Sequence, residues 1–110
     1  MDVERGAEKI HAAAEGKRPF PVLSAEYPDM TEADSYAVQK AYSLKRLKGA
    51  RPSGFKAGLT TEATMKRFGA STPFAAPLFP EGAMDGSVER VVVERASFGV
   101  LMLEAEIAFI

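Results

Sequence analysis

Gly54-Phe55-Lys56-Ala57-Gly58-Leu59-Thr60 is the stretch where helical spacing gives way to two-residue alternation. Phe55, Ala57 and Leu59 fall on one face and Lys56 on the other, which reads as a short strand over residues 54 to 59. Gly54 and Gly58 let neighbouring backbone approach Lys56. In a cleft its ammonium could bind a carboxylate or, if desolvated, exchange a proton; the plainer alternative is a surface-facing strand position.

Upstream, the pattern is helical. Val3, Ala7, Ile10 and Ala14 form one apolar stripe of a helix that Asp2 can cap and Gly16 closes. His11, the only histidine, lies beside that stripe and reads as a surface or half-buried residue. Pro19, Pro21 and Pro28 make residues 17 to 29 an extended connector without regular helix. Thr31-Glu32-Ala33-Asp34 is a helix start, and Ala33, Ala37, Ala41, Leu44 and Leu47 keep helical spacing to Gly49. This should be the longest helix, with small residues that let a neighbour pack closely.

Downstream, Thr60 or Thr61 caps a brief helix through Met65 and Phe68 that ends at Gly69. Residues 71 to 82 read as a proline-rich loop in which Phe74, Leu78 and Phe79 need somewhere to pack. After the turn signal Asp85-Gly86, residues 88 to 94 and 98 to 110 are two β-prone runs. Helices first and strands later imply an α+β class. The expected division is a helix-rich N-terminal region over residues 1 to 82 and the start of a β-rich domain over 83 to 110.

Composition narrows the partners. The chain has 110 residues, 46% of them hydrophobic, and a net charge of -1, enough for one small domain and no reason to expect nucleic acid or an anionic membrane. With no cysteine there is no thiolate nucleophile or thiolate metal site. The charged N-terminus and the lack of a long apolar run imply a cytoplasmic protein. No acid lies between Asp34 and Glu62, whereas Lys40, Lys45, Arg46, Lys48, Arg51 and Lys56 do; this is a solvated basic face or, at Arg51 and Lys56, a positive field for an anionic substrate. There is no glycine-rich phosphate loop and no Ser/His/Asp set.

Leu103-Glu104-Ala105-Glu106-Ile107-Ala108-Phe109-Ile110 carries the other chemical signal. In an extended chain Glu104 and Glu106 point the same way, and two like charges among apolar neighbours call for water or a cation. The choice lies between half of a divalent-metal site and a solvated edge-strand face.

Together and in this order, Tyr36-Ala37-Val38-Gln39 within the long helix, the Lys56 strand, Phe68-Gly69, Pro73, Leu78-Phe79 and Glu104-Ala105-Glu106-Ile107 resemble the 2-keto-4-pentenoate hydratase branch of the fumarylacetoacetate hydrolase superfamily. The resemblance covers most of the chain. It implies the N-terminal part of an α+β enzyme, a hydratase of the lyase class that uses Mg²⁺ or Mn²⁺ to add water to a 2-oxo acid in aromatic-compound breakdown. It implies Glu104 and Glu106 as metal ligands, a third ligand beyond Ile110, Lys56 as the catalytic and substrate-binding group, and a homo-oligomer. Hard divalent cations take carboxylate oxygens and water, and a chelated 2-oxo acid enolises more readily.

Two departures qualify that expectation. Family members often place an acid, an aromatic and a glycine after the proline matching Pro73, where this chain has Phe74, Ala75 and Ala76. A related carbon–carbon hydrolase or a 2-oxo acid decarboxylase therefore stays open. The chain also reads as truncated, so it should bind metal weakly and be inactive or nearly so. The non-enzymatic alternative is a small self-associating α+β module that pairs through its apolar terminal strand.

Overall fold

A computed structural model describes all 110 residues. Helix α1 (Val3–Glu15) begins where the Asp2 carboxylate accepts a hydrogen bond from the Arg5 amide at 3.0 Å. Helix α3 (Glu32–Leu47), the longest, opens on a full capping box: the Asp34 amide donates to the Thr31 hydroxyl and the Thr31 amide donates to the Asp34 carboxylate. Lys45 of α3 pairs with Glu4 of α1, and the contacts between the two helices advance together along both, from Gly6 beside Val38 to His11 beside Tyr42. A Cβ on Gly6 would lie 3.2 Å from Val38 Cγ2, which shows how closely α1 approaches α3 there.

Between these helices the connector contains a single turn, α2 (Leu23–Glu26), where the prolines led us to expect no helix. Pro21 and Pro28 flank the turn without entering it, and burial of Leu23 anchors it. The core is Ala7, Leu23, Val38, Ala41 and Tyr42, with Val3, Ile10, Ala14, Met30 and Phe79 packed around it. Phe79 meets Tyr42 edge-on at 5.8 Å between ring centroids.

Strand β1 (Gly54–Gly58) stops one residue before the expected end because Leu59 turns to φ 54. Thr61, of the two candidates, caps α4 (Glu62–Phe68), and Gly69 closes it in the left-handed region. The proline-rich segment is not all loop. Phe74–Leu78 forms β2, antiparallel to β1, with Lys56 opposite Ala76 and Ala57 opposite Ala75. The Ala75 amide bonds outward to Tyr36, so alternation turns the nitrogen of Pro77 outward too, where the strand loses no ladder bond.

Residues 83 to 110 correct the sequence reading most. The two expected strands are absent. The region holds one 3₁₀ turn (Arg95–Ser97), and Leu103, Ile107 and Phe109 are 86%, 87% and 96% exposed. β-prone side chains form a strand only against a partner, and these pair with neither edge of the sheet, which contains β1 and β2 alone. The Asp85 carboxylate does accept from the Ser87 amide, so the expected turn is present. With a radius of gyration of 15.5 Å, the chain is wider than the roughly 13 Å of a compact domain of this size. The fold is mixed, helices plus a two-stranded sheet, and no helix is long and apolar enough to cross a membrane.

Candidate functional site

The face that β1 turns inward is the one carrying Lys56. Phe55, on the opposite face, is 74% exposed, whereas Lys56 is half-buried between Gly54 and Gly58. The polar side chain therefore faces the body of the protein and the apolar one faces out.

Lys56 meets both tail carboxylates. Its Nζ donates to Glu104 Oε2 at 2.9 Å and lies 3.3 Å from Glu106 Oε1. The two glutamates lie two residues apart outside any strand, and both side chains reach Lys56 Nζ. Hydrogen bonds that Lys56 donates to Glu104 first and Glu106 second raise its pKa above the ordinary value. In this arrangement the two carboxylates favour the protonated form of Lys56.

Beside the triad lies a cleft of about 530 Å³ whose walls include Tyr36 and Gln39 of α3, Lys56 of β1, Phe68 at the end of α4, Ser71, and Phe74 of β2. Gln39 Nε2 donates to the Ala75 carbonyl at 3.0 Å, and the Ala75 amide donates to the Tyr36 hydroxyl at 3.2 Å. Glu32 is the cleft's own carboxylate, and it accepts from the Thr72 hydroxyl at 3.3 Å. The reading of α3 as scaffold missed these residues. A signal was there: Glu32, Ser35, Tyr36 and Gln39 recur at helical spacing as a polar stripe on the face away from the apolar one.

Other candidates lie elsewhere. Arg51 is exposed and outside the cleft, so of the two bases expected to supply a positive field only Lys56 lines it. Lys45 pairs with Glu4 and Glu8. Arg46 bonds Glu81 at 2.5 Å and the Tyr42 hydroxyl at 2.8 Å, and stacks 4.2 Å from the Phe79 ring. His11 is half-buried, with its ring 6.2 Å from that of Tyr42.

As a cation site, Glu104 and Glu106 offer hard carboxylate oxygens converging on one positive group, which suits Mg²⁺ or Ca²⁺ better than a soft metal. They form an incomplete set, since nowhere does the chain gather three acidic, histidine or cysteine donors.

No family model matches the chain. It is nonetheless similar to proteins named as hydratases and decarboxylases of 2-oxo acids, the group its motifs resemble. It is 36% identical over 108 residues to 4-oxalocrotonate decarboxylase from Pseudomonas sp. strain CF600, a match to 94% of this chain and 39% of that protein. Against 2-keto-4-pentenoate hydratase from Paraburkholderia xenovorans strain LB400 it is 29% identical, matching 97% of this chain and 39% of the relative. In three dimensions it superposes on 4-oxalocrotonate decarboxylase from Pseudomonas putida G7, complexed with calcium and acetate, with a TM-score of 0.65 and 32% identity over 69% of this chain and 30% of the other. The same enzyme has been solved with magnesium and adipate. The chain thus spans about 39% of the length of the curated relatives it matches.

Proposed function

We propose that this chain supplies the lysine and two of the metal ligands of a divalent-metal-dependent 2-oxo acid hydratase. The observation that carries the proposal is the convergence of Lys56, Glu104 and Glu106 on one point beside a cleft. Glu104 and Glu106 would hold Mg²⁺ or Mn²⁺ together with water and with oxygens that other residues provide. A cation held there would supply charge to chelate a 2-oxo acid and to stabilise its enolate.

The chain's own residues do the rest. Lys56, kept protonated, binds the carboxylate of the substrate and adds positive charge where the enolate oxygen forms. Phe68 and Phe74 give the cleft an apolar side for the hydrocarbon end of the molecule and exclude water from it. Because Lys56 occupies the point between the two glutamates, cation binding must displace its ammonium, which is then free to turn to the substrate.

Decarboxylation is the second reading. The 36% identity to a decarboxylase favours it, and so does the lack of an acid among Phe74, Ala75 and Ala76 on the β2 wall. Both reactions run through the same kind of stabilised enolate, so they share the assignments of Lys56, Glu104 and Glu106.

Calorimetric titration of the chain with Mg²⁺, and then with 2-oxobutanoate, tests the proposal. Mg²⁺ should bind in the millimolar range, as expected of an incomplete ligand set. Glu106→Gln should abolish the Mg²⁺-dependent binding of 2-oxobutanoate, whereas Lys56→Met should tighten Mg²⁺ and weaken the 2-oxo acid. Mg²⁺ binding untouched by Glu104→Gln and Glu106→Gln together would overturn the proposal. Turnover of 2-hydroxypentadienoate by the 110-residue chain alone should be undetectable.

A further inference from the structure

We propose that Tyr36 and Gln39 form a two-point clamp on Ala75 that sets where Lys56 stands in the cleft. Their place as positioning residues rests on the role given to Lys56 above; the clamp itself is a matter of geometry. Tyr36 and Gln39 are three apart on α3 and so share a face. They grip both polar groups of one residue: Gln39 Nε2 donates to the Ala75 carbonyl at 3.0 Å, and the Ala75 amide donates to the Tyr36 hydroxyl at 3.2 Å.

Those two groups lie on the edge of β2 turned away from β1, where a third strand would otherwise pair. The helix face substitutes for that strand, at one residue only. Ala75 stands opposite Ala57, and its neighbour Ala76 stands opposite Lys56, so a shift of β2 along α3 carries Lys56 with it.

The clamp matters because the apolar tie between the two parts, Phe79 against Tyr42, lies past the end of β2 and leaves the strand itself to polar contacts. The helices α1 and α3 pack extensively on each other, as do β1 and β2, but the helical pair and the hairpin meet sparsely. The remaining polar ties flank the clamp: Thr72 to Glu32 at 3.3 Å before β2, and Arg46 to Glu81 at 2.5 Å after it. Tyr36 and Gln39 therefore hold the middle of the strand that carries the partner of Lys56.

The test uses the 110-residue chain with Tyr36→Phe, Gln39→Met and Gln39→Lys. Two readouts are followed: amide hydrogen exchange, and the rate at which an acetylating reagent modifies Lys56. Loss of the Tyr36 hydroxyl should speed exchange at Ala75 by about tenfold while the amides of α1 and α3 keep their protection. Gln39→Met combined with Tyr36→Phe should raise Lys56 acetylation severalfold, and Gln39→Lys, which keeps a donor for the Ala75 carbonyl, should restore much of the wild-type rate. Unchanged Ala75 exchange in Tyr36→Phe, or unchanged Lys56 reactivity in the double variant, would overturn the clamp. General loss of helix protection would overturn it too, since both side chains would then be supports of the whole fold. If wild type fails to bind 2-oxobutanoate while these shifts occur, the functional reading falls and the clamp stands.

Discussion

Residues 32 to 47 and residues 83 to 110 both carry many apolar side chains, yet one is a capped helix and the other an open chain. The difference lies in partners. In α3 Val38, Ala41 and Tyr42 find Ala7 and Leu23 across the interface, whereas Ala33 and Leu44 of the expected stripe are exposed, so the buried face is turned from the one the spacing suggested. In the tail Val92, Val100 and Met102 are exposed, with no surface of this chain turned towards them. Local propensity supports a structure that tertiary contact completes, and it leaves a strand unformed when that contact is missing.

The contrast predicts a steep gradient of mutational cost. Tyr42→Ala should destabilise the chain by about 3 kcal/mol, because it removes a buried ring. The ring's contacts with Phe79 and its hydroxyl's bond to Arg46 are lost with it. Urea unfolding followed by circular dichroism measures the change. Retention of wild-type stability would mean that the α1–α3 pair is not the stable half of the molecule.

A smaller effect is expected at the start of α3. Thr31→Ala removes the hydroxyl that accepts from the Asp34 amide and should cost about 1 kcal/mol. The same box makes α3 acid-sensitive. Side-chain and backbone hydrogen bonds from Thr31 hold the Asp34 pKa below its ordinary value of 3.8. A carboxylate with a depressed folded pKa stabilises the fold above its unfolded pKa, and that contribution is lost as pH falls through the folded value. Helical signal near the α3 N-terminus should therefore weaken below about pH 3.9, and in Thr31→Ala most of that acid response should vanish. An identical pH profile in the variant would sink the assignment.

What the sequence made legible follows the same division. The bounds of α1, α3 and α4 could be read because caps and periodicity are local: Asp2, Thr31, Thr61 and Gly69 each act within one turn of chain. Strand β2 could not, because its prolines resemble a loop until the outward direction of the Pro77 nitrogen is known, and that is a property of the pairing. The tail failed for the opposite reason, since its β-prone composition was present without a partner. Of the site, Lys56 and the Glu104–Glu106 pair could be named from alternation and resemblance. Their meeting at 2.9 and 3.3 Å joins residues 48 and 50 positions apart, which no local pattern encodes. Tyr36 and Gln39 were hidden in plain periodicity, polar residues on a helix whose apolar face drew the reading.

The smallest effect should come from the tail itself, and it tests the contrast most directly. Phe109 is 96% exposed, so Phe109→Ser removes almost no buried surface and should leave the unfolding midpoint unchanged. Lys56→Met should also leave it unchanged, because the ion pair with Glu104 and Glu106 is open to solvent, where exposed pairs contribute little. Lys56→Met should nevertheless change how Mg²⁺ and a 2-oxo acid bind, so the same substitution separates a contact that holds the chain together from one that serves a ligand. If Phe109→Ser instead lowered stability by about 1 kcal/mol or more, the tail would be packing in solution against something that buries it. A second copy of the chain would be the first candidate, and the loss would then grow on dilution, because a partner bound by mass action stabilises less as its concentration falls.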